Sequence, residues 1–176
     1  MSAIWEGLVS ALQLIISFDP EVMSIAGLSL RISVTATLLA AVICLPLGGI
    51  IHFNRFAGKR ILINLVQTFY SIPTVVVGLF VFVLFSRAGP LGDLGLLFTP
   101  TVMIIGQMVL ITPVLLGLTI SAFSGVDKAI PDTARSLGAS KFQTMVVILR
   151  EARFAVMAAI LLAFGRAISE VGLALM

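Results

Sequence analysis

The stretch "VDKAIPDTARSLGASKFQTMVVILREAR", residues 126–153, separates two long apolar runs. It carries Lys128, Arg135, Lys141, Arg150 and Arg153, yet it has the grammar of ordered helix and not of a linker. Pro131 followed by Asp132 is expected to open a short helix, with a carboxylate at the positive end of the dipole. Ala134, Gly138 and Ala139 supply a small-residue surface, and Gly138 suits the left-handed position that ends a helix. Ser140 begins a second helix, because "SKFQ" has the S-x-x-Q form of a capping box. Met145, Ile148 and Leu149 give that helix an apolar side. A short helix, a glycine break and a second amphipathic helix make a compact docking element whose small side chains admit a partner's backbone. The plainer reading is a self-contained hairpin lying at a membrane interface.

The flanking sequence decides which kind of protein carries this element. Of the 176 residues, 60% are hydrophobic and 11% charged, whereas a soluble domain has about 25% charged residues. Too little charge remains to solvate a water-facing surface, so the chain reads as an integral membrane protein. Its Phe, Ile, Leu and Val run in blocks, which fit an all-α, polytopic helix bundle better than the alternation of a membrane barrel. Four segments, roughly 28–53, 61–85, 99–123 and 154 to the end, have the length needed to cross a core of about 30 Å. Residues 1–26 are set apart as an N-terminal segment, and 27–176 as the transmembrane domain. In the former, Trp5, Leu8, Leu12, Ile15 and Ile16 recur at helical spacing, which predicts an amphipathic interfacial helix, with a shallow span as the alternative.

Orientation follows from the loops. "NRFAGKR" contributes Arg55, Lys59 and Arg60 between the first two spans, and residues 126–153 contribute five more bases. The other side has Glu6, Asp19 and the Gly- and Pro-rich loop 86–98, whose only base is Arg87. Both basic loops are therefore expected in the cytoplasm and the N-terminus outside, in a multi-pass plasma-membrane protein. The net charge of +3 marks orientation and not affinity for nucleic acid.

Polar residues within the spans are the candidates for function. Arg166 and Glu170 stand four apart in "GRAISEVG", so on a helix they share a face and can pair. Gly165, Ser169 and Gly172 keep that neighbourhood narrow. One reading is a structural clasp between spans; the other is that Arg166 presents positive charge to a passing anion. Gln107 and Ser71 are further candidates for the translocation path. Pro46, Pro73 and Pro113 each fall within a span and are expected to bend it. His52 marks the inner end of the first span, and Cys44 reads as a packing residue. One histidine and one cysteine make no metal site, and no nucleophile–base set for catalysis can be assembled. The phosphate-binding G-x-x-x-x-G-K-[ST] loop is absent, so the chain is not expected to be an enzyme or to hydrolyse ATP itself.

At this point a resemblance is plain. "DTARSLGAS" resembles the E-A-A-x-x-x-G-A loop of ABC-importer permeases, with Asp132 at the Glu position, Thr133 and Ala134 at the two Ala positions, and Gly138 and Ala139 after them. "SIPTVVVGL", "RAGPLGDLGLLFTPTVMIIGQ" and "FGRAISEVG" extend the likeness to the molybdate/tungstate/sulfate permeases, the tungstate branch above all. The resemblance implies the type I ABC-importer fold and a homodimer bathed in membrane lipid. It further implies a cytoplasmic ATPase that carries the ATP and Mg, an extracytoplasmic substrate-binding protein, and coupling through residues 132–139. Such permeases have another span after "ISEVG", so the last helix is expected to be lacking. Permeation of molybdate, sulfate or another anion is the alternative within the class. A channel or an ion-gradient transporter is the alternative outside it, and gives no reason for a docking element at 126–153.

Overall fold

The computed structural model describes residues 16–54 and 56–170, together with Trp5, Gly7 and Val9. The amphipathic helix expected near the N-terminus lies, up to residue 15 and apart from those three positions, outside the described residues, as do Arg55 and Gly172.

Asp19 starts the first long helix. Its carboxylate accepts from the backbone N–H groups of Glu21 and Val22 at 3.0 and 3.2 Å, and Pro20 occupies the first helical turn, where a missing N–H does no harm. Helix α1 then runs unbroken over Pro20–Phe53, 34 residues, so it starts at Pro20 and not at residue 28, and the division between 26 and 27 falls inside it. Asn54 ends it in extended backbone. Two short helices follow, α2 over Lys59–Thr68 and α3 over Thr74–Phe85, separated by one tight turn at Phe69–Ser71. Next come α4 (Pro100–Ser124), α5 (Ala129–Ser136), α6 (Lys141–Glu151) and α7 (Arg153–Ile168).

The span expected over 61–85, with a bend at Pro73, is a pair of short helices and not a kinked rod. The element turns through 95° between Ser71 and Thr74. Pro73 has no N–H to donate and holds Ile72 in extended backbone, at φ −63 and ψ 126. With 10 and 12 residues, α2 and α3 each reach only about 15–18 Å, too short to cross alone. Pro46 and Pro113, by contrast, lie inside continuous helices.

Helix α4 is central. Ser33, Ala36, Thr37, Ala40, Ala41, Cys44 and Gly48 of α1 recur at helical spacing and are buried. A bilayer supplies no hydrophobic drive between helices, so such small side chains work by letting backbones approach. At Gly48 the fit is tightest: a Cβ would stand 2.7 Å from Thr119 Cγ2. Thr37 and Thr119 donate their hydroxyls to the carbonyls of Ser33 and Leu115, both at 2.7 Å, so these two hydroxyls are met within their own helices. The other sides of α4 receive α7, through Ala159, Ala163 and Ala167, and α3, through Val77, Val81 and Phe85.

Three contacts give the direction of packing. Cys44 Sγ donates to the carbonyl of Thr112 at 3.6 Å, Gly48 meets Thr119, and His52 Nδ1 lies 3.3 Å from Ser124 Oγ. Numbers rise together, so α1 and α4 are parallel. Both therefore end on one membrane face, and the bent α2–α3 element must return the chain across the bilayer as a broken span. The loops 54–58 and 125–152 share that face. Gln107 near the start of α4 donates to the carbonyl of Ala167 near the end of α7 at 3.2 Å, so α7 runs antiparallel.

Candidate functional site

Residues 126–153 fold as their sequence suggests, with one shift. Helix α5 opens at Ala129, before Pro131, because the Asp127 carboxylate accepts from the Ala129 N–H at 2.9 Å; Asp132 still falls within the first turn. Its end is a Schellman closure. The Gly138 N–H donates to the Arg135 carbonyl at 2.9 Å and the Ala139 N–H to the Ala134 carbonyl at 3.0 Å. Gly138 has φ +83, and a Cβ there would meet nothing within 4 Å. Glycine is thus required by backbone conformation and not by crowding within this chain. The capping box at Ser140 is complete: its hydroxyl accepts from the Gln143 N–H at 3.3 Å, and Gln143 Oε1 accepts from the Ser140 N–H at 2.7 Å.

The element presents a groove of about 440 Å³ whose lining includes Ile130, Thr133, Ala134, Leu137 and Val147. Thr133 and Ala134 keep it shallow, while Leu137, 83% exposed, stands at its edge. Asp132 and Gly138 are exposed and Ala139 half-buried. Asp132 faces Arg135 at 3.7 Å, with both side chains largely in solvent, so this ion pair adds little stability. Beneath, Ile148 and Ala152 pack with Phe123 and Val156. Only Ala152 separates α6 from α7, and only Gly125–Lys128 separate α4 from α5. The element is therefore tied to α4 and α7 by short connections on both sides.

Those two helices carry the intramembrane candidates. Gln107 is buried, and its Oε1 has no hydrogen-bond partner among the described residues. Arg166, half-buried, likewise has a buried Nε without one. Among the described residues an unmet acceptor and an unmet donor thus stand on adjoining helices, and each calls for an explanation, because leaving such a group unpaired costs about 1–3 kcal/mol. Ser169 Oγ donates to the Arg166 carbonyl at 3.0 Å. The expected continuous helix through Arg166 and Glu170 is not formed: α7 ends at Ile168 and closes with a tighter turn in which the Glu170 N–H donates to the Ala167 carbonyl at 3.3 Å. Gly165 is exposed, and a Cβ there would meet nothing within 4 Å, so the described residues do not fill the narrow neighbourhood expected around it. Ser71 stands exposed on the elbow, beside Tyr70. Tyr70 lies against Gly117, ten positions or about 15 Å along α4 from Gln107.

That Tyr70–Gly117 contact escapes sequence reasoning. The hydroxyl of Tyr70 occupies the place of a Gly117 side chain, with Cζ at 2.8 Å from where a Cβ would be. It pins the elbow of the broken span to the central helix. Among the residues of the chain only the single tyrosine and a glycine in an apolar run hinted at it.

A broken span, a small-residue helix seam and a helix–glycine–helix element joining α4 to α7 define a polytopic membrane protein with an ordered helical element outside its bundle. The chain belongs to the family of binding-protein-dependent transport system inner membrane components, whose pattern matches residues 44–176, and its fold is the type I ABC permease helix bundle. It is 42% identical over 172 residues to a tungstate uptake system permease protein of Peptoclostridium acidaminophilum, covering 98% of this chain and 75% of that one. A tungstate uptake system permease protein of Campylobacter jejuni is 36% identical, covering 98% of this chain and 72% of the relative. A probable anion ABC transporter permease protein of Haloferax volcanii is 41% identical over 150 residues, 85% of this chain and 65% of the relative.

Proposed function

We propose that this chain is the membrane permease subunit of an ATP-driven oxyanion importer, with tungstate as the cargo and molybdate or sulfate as weaker alternatives. The observation that carries the substrate is the 42% identity to a tungstate permease along 98% of the chain. In this reading a cytoplasmic ATPase, which holds ATP and Mg, docks on Asp132, Thr133, Ala134, Gly138 and Ala139. An extracytoplasmic binding protein delivers the anion, and two copies of the chain form the path. The shared face of the two basic loops supports a cytoplasmic position for the docking element and an outer position for the N-terminus.

The connections described above supply a mechanism. Closure of the ATPase pair displaces α5 and α6, and the short joints pass that motion to α4 and α7. Their relative shift exposes Gln107 and Arg166 first to one side and then to the other. Arg166 gives the anion a fixed positive charge, and Gln107 donates to one of its oxygens through the Nε2 hydrogen that the Ala167 carbonyl does not take.

Uptake of tungstate by cells lacking their own system, supplied with this chain and its ATPase and binding-protein partners, tests the reading. Accumulation that depends on ATP and is outcompeted least by sulfate is expected. Uptake that persists without the ATPase would show instead a channel or gradient-driven carrier.

A further inference from the structure

The docking element carries a second feature, shared with the end of α1. A cavity of about 390 Å³ opens between the end of α1 and the start of α6. Phe53, Met145 and the largely exposed Phe142 give it an apolar lining, and Asn54, Arg135 and Lys141 a polar rim. Met145 reaches this place because Gly49 has no side chain: a Cβ there would stand 2.6 Å from Met145 Cε. The rim is cationic. Asp132 offsets Arg135 in part, at 3.7 Å, while Lys141 has no ion pair among the described residues.

The cavity also leads somewhere. Ile50 lines it, and Ile50, Leu47, Ile43 and Leu39 recur at helical spacing up α1, all exposed. A cationic rim at the point where a membrane helix emerges, continued by an apolar stripe into the bilayer, matches a molecule with an anionic head and a hydrocarbon tail. A soluble anion would use the rim and leave the stripe bare.

We propose that this cavity binds an anionic phospholipid, its phosphate against Arg135 and Lys141 and one acyl chain along Ile50, Leu47, Ile43 and Leu39. The lipid joins α1 to the docking element and so steadies the element against the bundle.

The test is native mass spectrometry of the full chain, purified in mild detergent from membranes of equal phosphatidylglycerol and phosphatidylcholine content. One phosphatidylglycerol per chain is expected to stay bound, with no enrichment of phosphatidylcholine. The R135Q/K141Q double variant should retain about tenfold less, while K128Q and the charge-preserving R135K/K141R should retain the wild-type amount. K141Q alone, a change at an exposed side chain without an ion pair, should show a smaller loss in the same direction if the double variant does not fold. Equal retention by wild type and both Gln variants would overturn the proposal. So would displacement by glycerol 3-phosphate, which would assign the site to a free anion, or loss of the lipid on adding the ATPase, which would assign the face to that partner. The readout involves no transport, so it stands apart from the identity of the cargo.

Discussion

At the scale of single residues, two glycines separate conformational need from spatial need. Gly138, at φ +83 with open space around its Cβ position, has only the backbone to satisfy. Valine there is expected to cost about 1–2 kcal/mol locally, whereas asparagine, which tolerates the left-handed region, should cost much less. Co-purification of the ATPase with each variant is the measure: G138V is expected to lose it while still inserting, and G138N to keep it. Gly117 is the opposite case, since the Tyr70 ring fills its side-chain place. G117A should destabilise the bundle by about 1–3 kcal/mol through overpacking, and Y70A in the same background should return part of that. Thermal unfolding in detergent reads both. Gln107 allows function to be split from folding. Its Oε1 is buried without a partner, so Q107L removes an unmet acceptor together with one hydrogen bond and should leave stability within about 1 kcal/mol. Transport should nevertheless fall sharply if the amide orients the anion; an uptake rate equal to wild type would remove Gln107 from the path.

At the scale of elements, what the sequence discloses depends on how local the cause is. The capping box at Ser140 and the glycine closure at Gly138 were legible because their donors and acceptors lie within a few residues. S140A should therefore weaken α6 by about 1 kcal/mol, visible as faster amide exchange at Gln143 and Thr144 with α4 unaffected. The 95° elbow was only half legible. Pro73 announced a bend, but hydropathy cannot tell a kinked rod from a broken span, because both bury the same apolar residues. The angle is fixed by distant partners: Tyr70 against Gly117 and Ile72 packed on the cluster of Val77 and Leu110. The start of α1 was misplaced for a related reason. The Asp19–Pro20 cap lies outside the apolar run, and a window tuned to membrane thickness discards it. The spacing argument for Arg166 and Glu170 assumed a helix through both, and α7 stops at Ile168, so their relative placement depends on the turn that follows.

At the scale of the whole molecule, the parallel packing of α1 and α4 makes the topology a single testable statement. Residues 54–58 and the docking element must face the same side, and the loop after α3 the other. Single cysteines in a Cys44→Ser background report this directly. Cys44 is fully buried and donates to the Thr112 carbonyl, and serine keeps that donor. Ala57→Cys and Ser136→Cys, both at exposed positions, should react only with a permeant thiol reagent in intact cells. Asp93→Cys should react with an impermeant one. Asp93 is the better outer site than Gly92, where a Cβ would run into the backbone of Ser86 and Arg87. Matched labelling of positions 57 and 136, opposite to 93, is the expected pattern. If 57 and 136 label from opposite sides, α2 and α3 form a re-entrant hairpin and not a crossing. The parallel contact of α1 with α4 could not then exist in the membrane. If all three reverse together, the bundle stands but its docking element faces outward, where no cytoplasmic ATPase could reach it.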